Sequence, residues 1–461
     1  MANERRPAQY QLIGLAVLAA VVWVMSLAAA AELGAPLPAA KGNQFAIAAL
    51  PDPQAYTQSY DITKGNEKWG GKGYQYKDRL DQQVRWIVEN RTIYNIRFAV
   101  SLGDSVQHFG YDEAKAADAS TFDGKVKGEW LNAERSYNLF HPDGDPTKAA
   151  FVPYAIACGN HDYHLGNQSD LDSREYERLF GPGRWRGADG AIRTAFRDWY
   201  RGDDRGHEHK ADGQSAATGV GRNSWQVFSG GGRTFLHLTL ECAATEQAIA
   251  WAKSVLKENP DKPTILTTHT FISGAGKLIT VEKMGRHVTR GKNPTNGSQA
   301  IWDKLIKDHD QIFMVLCGHS YSQEHVVLKN AAGHDVHVLE ACYHLNYDGG
   351  RIRVGEKPAG GWAYKGESDD LDRNGCGWLR LILFDPDRGR VLVRTYSPVL
   401  GLWATNRAPG DRSRPDGENG VWWTRTFPVG KDVEEEFGLD FQQRLGPAAG
   451  AKPASAPEKA D

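Results

Sequence analysis

An excess of either charge is the first thing that this sequence lacks. Its 55 lysines and arginines nearly balance its 57 aspartates and glutamates, which gives a formal net charge of −2 over 461 residues. A near-neutral chain offers no large field of one sign to a polyanion. The composition therefore argues against binding to nucleic acid or to an acidic membrane through charge alone.

Cysteine is scarce, and its count is odd. Because five cysteines cannot all pair within one chain, at least one must remain a thiol. Cys158 and Cys317 each close an apolar run just before a glycine, which favours small buried side chains over reactive thiols. A disulfide between Cys342 and Cys376 is conceivable, but the sequence does not establish it.

An apolar stretch near the N-terminus follows Arg5 and Arg6, runs from Leu12 to Val24 and ends in the small residues 28–31. A charged start, an apolar middle and an Ala-x-Ala cleavage option are the three parts of a secretory signal. We therefore expect residues 1–31 to be a signal peptide and the protein to be periplasmic or extracellular. Because residues 12–31 are about 20 residues long, enough to span a bilayer, an uncleaved membrane anchor is the alternative.

Buried strands recur along the chain, and each ends next to a polar side chain. Short apolar runs predict strands at 44–50, 96–102, 154–158, 263–268 and 312–316. The residues at their ends are Asp52, Asp104, Asn160 with His161, His269 and His319. Helical periods at 79–90, 129–140, 245–258 and 299–307 alternate with these strands, a pattern in which ligands bind beyond the carboxyl ends of the strands. We therefore expect one sheet to gather all five strand ends.

Further short strands complete an α/β fold. Alternating runs at 224–229 and 234–240 predict a hairpin, and later runs at 325–328, 336–339, 379–384 and 391–396 predict a second sheet packed on the first. The predicted organisation is a linker at 32–43, one domain over 44–440 with a loop-rich insertion at about 165–223, and a disordered tail at 446–461.

The residue types at the strand ends point to metal binding. Each residue alone carries little weight, because an aspartate after a strand is usually a turn residue and a lone histidine is usually packed or solvated. Together, however, carboxylate and amide oxygens mixed with imidazoles suit divalent first-row metals. A shared aspartate can also bridge two such ions.

In this order the motifs resemble those of the calcineurin-like metallophosphoesterases. They read Asp52-Pro53-Gln54, Gly103-Asp104, Gly159-Asn160-His161-Asp162, His269 within Thr267–Thr270, and Gly318-His319-Ser320-Tyr321. The resemblance covers about residues 45–321. It implies a four-layer αββα sandwich of two mixed sheets flanked by helices, and two divalent metal ions drawn from Mn, Fe, Zn, Mg and Ca.

The resemblance also implies a role for each residue. Asp104 would bridge both metals, Asp52 would belong to one site, and the other site would be completed by Asn160, His269 and His319. His161 would donate a proton to the leaving group. The implied activity is hydrolysis of a phosphomonoester or phosphodiester by a hydroxide that bridges the metals, with the phosphoester as the partner molecule.

Two departures from the family pattern concern a single metal site. Gln54 and Tyr321 stand where the family usually has histidines. This site is therefore rich in oxygen, with Tyr321 or Gln107 as further ligand candidates, and should hold Mn, Mg, Ca or Fe more naturally than Zn and more weakly than its partner. Tyr321, His164 and His344 are candidates for substrate contact, and His344 is also a candidate replacement ligand.

The two lost imidazoles leave other functions open. One alternative is a domain that keeps a single metal and binds a phosphorylated or carbohydrate ligand without cleaving it. Another is the metal-dependent hydrolysis of a carboxylic or sulfate ester. The sequence does not identify the substrate, the physiological metals or the oligomeric state.

Overall fold

The structure is a computed structural model that describes residues 37–57, 78–108, 110–163, 173–185, 196–199, 208–211, 214–217, 221–281, 295–320, 323–343, 377–399, 401–403 and 435–440. The predicted signal or anchor, residues 32–36 of the predicted linker, the predicted tail, and Tyr321, His164 and His344 lie outside these ranges. Among the described helices, none is long and apolar enough to cross a membrane.

Sixteen strands and five α-helices make up the described elements. In chain order they are β1 (Phe45–Leu50), α1 (Arg79–Asn90), β2 (Ile96–Ser101), α2 (Phe122–Asn138), β3 (Tyr154–Ile156), α3 (Arg174–Phe180), β4 (Phe196–Trp199), β5 (Glu208–Ala211), β6 (Gln214–Ala217), β7 (Ser224–Gly230), β8 (Arg233–Leu240), α4 (Glu246–Glu258), β9 (Thr264–Thr268), α5 (Ser298–Ile301), β10 (Ile312–Cys317), β11 (Gln323–Lys329), β12 (Asp335–Ala341), β13 (Leu379–Asp385), β14 (Arg390–Ser397), β15 (Leu402–Trp403) and β16 (Glu435–Gly438). A π-helical turn, Trp302–Ile306, extends α5.

The first sheet has the strand order β15-β14-β13-β1-β2-β3, with β16 paired to β14. Strands β1, β2 and β3 are parallel, whereas β13 runs antiparallel to β1. The carboxyl ends of the three parallel strands therefore lie along one edge. Asp52, Asp104 and Asn160 follow these three ends.

The second sheet has the order β11-β12-β10-β9-β8-β7-β4, and β8, β9, β10 and β12 are parallel within it. His269 follows β9 and His319 follows β10. The expectation that one sheet gathers all five strand ends is thus wrong, because two sheets contribute. The expectation that the later strands form the second sheet is also wrong in part, since β13 and β14 pair beside β1. Local periodicity identifies a strand but does not say which strand it pairs with.

Strand β1 shows why the sheets stack. Its residues Phe45, Ile47 and Ala49 lie in the cluster between the sheets, which also contains Phe235 of β8 and Phe313 of β10. The intervening residues of β1 face a different cluster. Since successive side chains of a strand point to opposite faces, a strand that is apolar at every position must be covered on both sides.

Helices cover the outer faces of both sheets. Leu80, Val84 and Ile87 of α1 and Trp130 of α2 pack on the first sheet. Helices α4 and α5 contribute to the corresponding cluster on the second sheet. Helix α2 begins at Phe122, earlier than predicted, because the Thr121 side chain accepts a hydrogen bond from the Gly124 N–H at 3.0 Å and caps the helix.

Part of the predicted insertion is regular structure. Helix α3 lies within it, and its Tyr176 is buried and donates a hydrogen bond to the Ile156 carbonyl at 2.6 Å. Strand β4 joins the second sheet, while β5 and β6 pair with each other. Short regular elements thus occur at these described segments within the predicted loop-rich insertion.

The described cysteines are buried, and no disulfide joins any two of them: Cys158, Cys242, Cys317 and Cys342. Burial raises the pKa of the thiols of Cys158 and Cys317, which agrees with the prediction that they are unreactive core side chains. Cys376 lies outside the described ranges.

Replacement of Phe45 by alanine should destabilise the stacked sheets. Its ring is fully buried and lies 4.8 Å from that of Phe384 and 5.3 Å from that of Phe235. We expect Phe45→Ala to lower the free energy of unfolding by about 3–5 kcal/mol, measured by urea denaturation. Leu131→Ala, at a side chain that is 46% exposed, should change it by less than about 0.5 kcal/mol. Equal losses in the two variants would contradict this packing.

Candidate metal centre

Four side chains converge at the edge where the two sheets meet. Nε2 of His269 lies 3.1 Å from Oδ2 of Asp104, 3.0 Å from Oδ1 of Asn160 and 3.3 Å from Nδ1 of His319. Ligand atoms of Asp104, His269 and His319 all lie within 4.8 Å of one another. Two oxygens and two imidazole nitrogens at this spacing form a donor set suited to a divalent transition metal.

The hydrogen bond on the far side of the His269 ring selects the nitrogen that faces this cluster. Nδ1 lies 2.9 Å from the carbonyl oxygen of Leu102, and a carbonyl can only accept, so Nδ1 carries a proton. In the neutral ring the lone pair is therefore on Nε2, beside Asp104. This arrangement is the usual outer support of a histidine ligand.

A second group of donors adjoins the first. Asp52 accepts a hydrogen bond from the His319 N–H through Oδ2 at 2.8 Å, and the Gln54 amide donates to Oε1 of Gln107 at 3.1 Å. Among the described residues, Asp52 Oδ1 and Gln54 Oε1 are buried acceptors without a hydrogen-bond partner. Leaving such groups unsatisfied costs about 1–3 kcal/mol each. A cation that prefers oxygen ligands would satisfy both, so the residues present fit a second metal.

The structure brings together most residues predicted for the site. The cluster contains Asp52, Gln54, Asp104, Asn160, His161, His269 and His319. Gln107, a further ligand candidate, instead uses its side-chain oxygen to hold Gln54. The candidates Tyr321, His164 and His344 lie outside the described residues.

Two motif glycines are required by close approach of the ligands. A Cβ atom at Gly159 would lie 2.1 Å from Oδ1 of Asp104, and one at Gly318 would lie 2.0 Å from Oδ1 of Asp52. Neither distance is compatible with a real side chain. The glycines before Asn160 and before His319 thus make room for a carboxylate from another strand end.

Three site residues hold left-handed backbone conformations. The φ angles are 28° at Asp52, 52° at Asp104 and 76° at His319. Such conformations cost about 1–3 kcal/mol each for a residue other than glycine and persist only where their surroundings enforce them. Here the enforcing contacts include the hydrogen bond from the His319 N–H to Asp52.

The electrostatics of the centre favour a cation. Burial raises the pKa of Asp52 to about 7 against the effect of His269, with Asp104 adding to the rise. Burial would also raise the pKa of Asp104, yet His269 and His161 hold it well below its usual range. Burial alone would lower the pKa of His269, but the two carboxylates raise it to about 10. The two carboxylates thus favour a positive charge at the position of the His269 ring.

His161 lies beside the cluster and is held by two hydrogen bonds. Its backbone N–H donates to Oδ1 of Asp104 at 2.8 Å, and its Nδ1 donates to the carbonyl of Gln107 at 2.7 Å. The neighbouring Asp162 accepts the N–H groups of Ser105 and Gly159, each at 2.8 Å. The loops after β2 and β3 are thereby joined.

Sequence reasoning missed the supporting residues of the centre. The sequence pattern marks Asp162 only as the end of a motif and Glu129 only as the start of a predicted helix. A signal for Glu129 was present, because it lies among apolar residues at helical spacing, Val126, Trp130 and Ala133. A carboxylate within a buried stripe must have specific partners.

Comparisons with known proteins leave the function open. No protein-family model matches the chain. The uncharacterized protein YvnB of Bacillus subtilis (strain 168) is 24% identical over 331 residues, which are 70% of this chain and 19% of that protein. The chain thus spans 19% of the length of this relative. A solved structure described as GAP50, the anchor in the inner membrane complex of Plasmodium, matches 78% of this chain and 86% of its own at 12% identity and a TM-score of 0.35.

A methyl group at Gly159 should disrupt the centre. We expect Gly159→Ala to weaken metal binding by at least about tenfold, as loss of outer support typically does, because the added Cβ displaces Asp104. Metal content by mass spectrometry, with circular dichroism as a check on folding, measures this. Gly183→Ala is the matched control, since a Cβ there would meet no atom within 4 Å. Undiminished binding by Gly159→Ala would contradict the described approach of Asp104.

Proposed function

We propose that this protein is a metal-dependent phosphoesterase with a metallophosphoesterase-like fold. The observation that carries the proposal is the convergence of Asp104, Asn160, His269 and His319 at the joint edge of the two sheets. The three successive hydrophobic clusters, with helices outside and two sheets inside, support the four-layer αββα arrangement that the motifs imply. Export to the periplasm or beyond, with cleavage of the signal or retention as an anchor, remains part of the same proposal.

Two unequal metal sites follow from the donor sets. Asn160, His269 and His319 would hold one ion, Asp52 and Gln54 would hold the other, and Asp104 would serve both. When bound, a pair of such ions would activate water, neutralise the phosphoryl oxygens and align an in-line displacement. The Asp52 site has no imidazole among the donors described for it, so it should be the weaker site and should prefer Mn, Mg, Ca or Fe.

His161 is the residue proposed to move a proton. Because its Nδ1–H is engaged by the Gln107 carbonyl, proton transfer falls to Nε2. When it is also protonated at Nε2, the ring can donate a proton to the oxygen of the departing alcohol. General acids of this kind raise the rate by about a hundred- to ten-thousand-fold. Its attachment to Asp104 through the backbone N–H keeps this donor beside the metals.

A binding function is the second candidate, and Gln54 is the observation that favours it. An amide oxygen is a weaker metal ligand than an imidazole or a carboxylate, so the second ion could be absent at cellular concentrations. The domain would then retain one metal and bind a phosphorylated or carbohydrate ligand without cleaving it. Hydrolysis of a carboxylic or sulfate ester is the third candidate, and a substrate panel separates it from the first.

Metal content and turnover together distinguish these candidates. Protein purified without chelators should contain two metal ions per chain and hydrolyse generic phosphoesters. His161→Ala should lower kcat by about a hundred- to ten-thousand-fold while keeping both metals, whereas Asp104→Asn should lose metal as well as activity. A single ion with no turnover would support the binding function instead, and activity confined to carboxylic or sulfate esters would support the third candidate.

Substitution of Gln54 by histidine should change the metal preference of one site only. The new imidazole should shift the Asp52 site towards Zn and leave the site of His269 and His319 unaltered. Competition between Mn and Zn, followed by metal content, measures this shift. Gln82→His adds the same side chain to helix α1, which supplies no residue of the centre, and should change nothing. An equal shift in both variants would argue against Gln54 as a ligand.

A further inference from the structure

Glu129 is a fully buried carboxylate that the proposed reaction does not use directly. It lies on helix α2 with an exposure of 0%. An isolated carboxylate in such a place is strongly disfavoured unless it is hydrogen-bonded. Its Oε2 accepts the N–H groups of Gln107 at 3.1 Å and His108 at 2.9 Å, and its Oε1 lies 2.8 Å from Nδ1 of His108.

These contacts hold a short loop that follows the Gly103-Asp104 motif. A carboxylate that accepts two successive backbone N–H groups fixes the peptide between them more firmly than a neutral acceptor would. The peptide held in this way joins Gln107 to His108. Its oxygen is the Gln107 carbonyl, so the orientation of that carbonyl depends on Glu129.

Gln107 in turn contacts two residues of the centre. Its carbonyl accepts the hydrogen bond from Nδ1 of His161 at 2.7 Å, and its side-chain oxygen accepts the Gln54 amide at 3.1 Å. The first bond keeps the proton of the neutral His161 ring on Nδ1 and leaves Nε2 for the leaving group. The second fixes the Gln54 amide, whose other atom is the buried, unpartnered Oε1.

We propose that Glu129 is a positioning residue that acts on His161 through the main chain of Gln107. It keeps Nδ1 of the ring protonated and hydrogen-bonded to the Gln107 carbonyl, so that a second proton taken up at Nε2 is the one held for transfer to the leaving group. The catalytic part of this inference rests on the proposed phosphoesterase activity, whereas the control of the ring tautomer does not.

The dependence of rate on the leaving group tests the catalytic part. A general acid matters most when the departing oxygen anion is a strong base, as an alkoxide is and a nitrophenolate is not. We expect Glu129→Gln to lower kcat by about tenfold to a hundredfold for alkyl phosphoesters, with a much smaller loss for nitrophenyl phosphoesters and little change in KM. Glu129→Asp should recover part of the rate because it keeps the charge. Glu134→Gln, on the same helix, is the matched control and should behave as the unaltered protein.

A double-mutant cycle isolates the route through His161. If Glu129 acts through that ring, Glu129→Gln should have no further effect on kcat in a His161→Ala background. A loss of equal size for all leaving groups, or an undiminished loss in the His161→Ala background, would overturn the positioning role. Either result would leave Glu129 as a stabilising residue only, which thermal unfolding of the variants would register.

The tautomer of His161 can be measured without any substrate. Nitrogen-15 NMR of labelled histidine rings separates Nδ1–H from Nε2–H forms, and His161→Ala identifies the resonance among the 15 histidines. The metal-free protein should show the Nδ1–H form alone, and Glu129→Gln should show a mixture. An unchanged tautomer in Glu129→Gln would refute the proposal. Should the protein cleave no phosphoester, the proposed function fails, but this measurement still decides whether Glu129 controls the ring.

Discussion

The buried contact between Asp104 and His269 is the interaction on which the centre depends. Asp104 follows a strand of the first sheet and His269 follows a strand of the second, and the two meet at 3.1 Å. Such an approach requires two sheets packed through an apolar core, and a glycine, Gly159, where the loop after β3 passes Asp104. The strained backbone of Asp104 is tolerated because its carboxylate is also held by the His161 N–H. The geometry of the site therefore depends on the packing of the two sheets.

The two groups of donors differ in whether their polar atoms have hydrogen-bond partners. Around His269 the polar atoms satisfy one another in the described structure, whereas Asp52 and Gln54 each present a buried oxygen with no partner. This asymmetry has a chemical meaning, because oxygen donors select harder and more weakly held cations than imidazoles do. Under the proposed function, the same asymmetry makes the choice between catalysis and binding a question of metal occupancy.

Much of the candidate site could be predicted because its candidate ligands lie in short local motifs. A buried apolar run followed by a glycine and a polar residue identifies Asp104, Asn160 and His319 without knowledge of the fold. The support of these ligands was not predictable in the same way. Glu129 reaches Gln107 from a helix 22 residues away in sequence, and Tyr176 reaches the end of β3 from within a segment predicted to be loop. Such contacts depend on how elements pack, and no local period records them.

By itself the amino-acid sequence determined where the strands lie, which of them are buried and which polar residues stand at their ends, since side-chain period and turn chemistry are local properties. Only the tertiary structure decided that two sheets, not one, supply the candidate ligands, that β13 and β14 return beside β1, and that a helix carboxylate holds the loop next to His161. Strand pairing and helix docking are chosen by the complementarity of whole surfaces, which residues far apart in the chain create together.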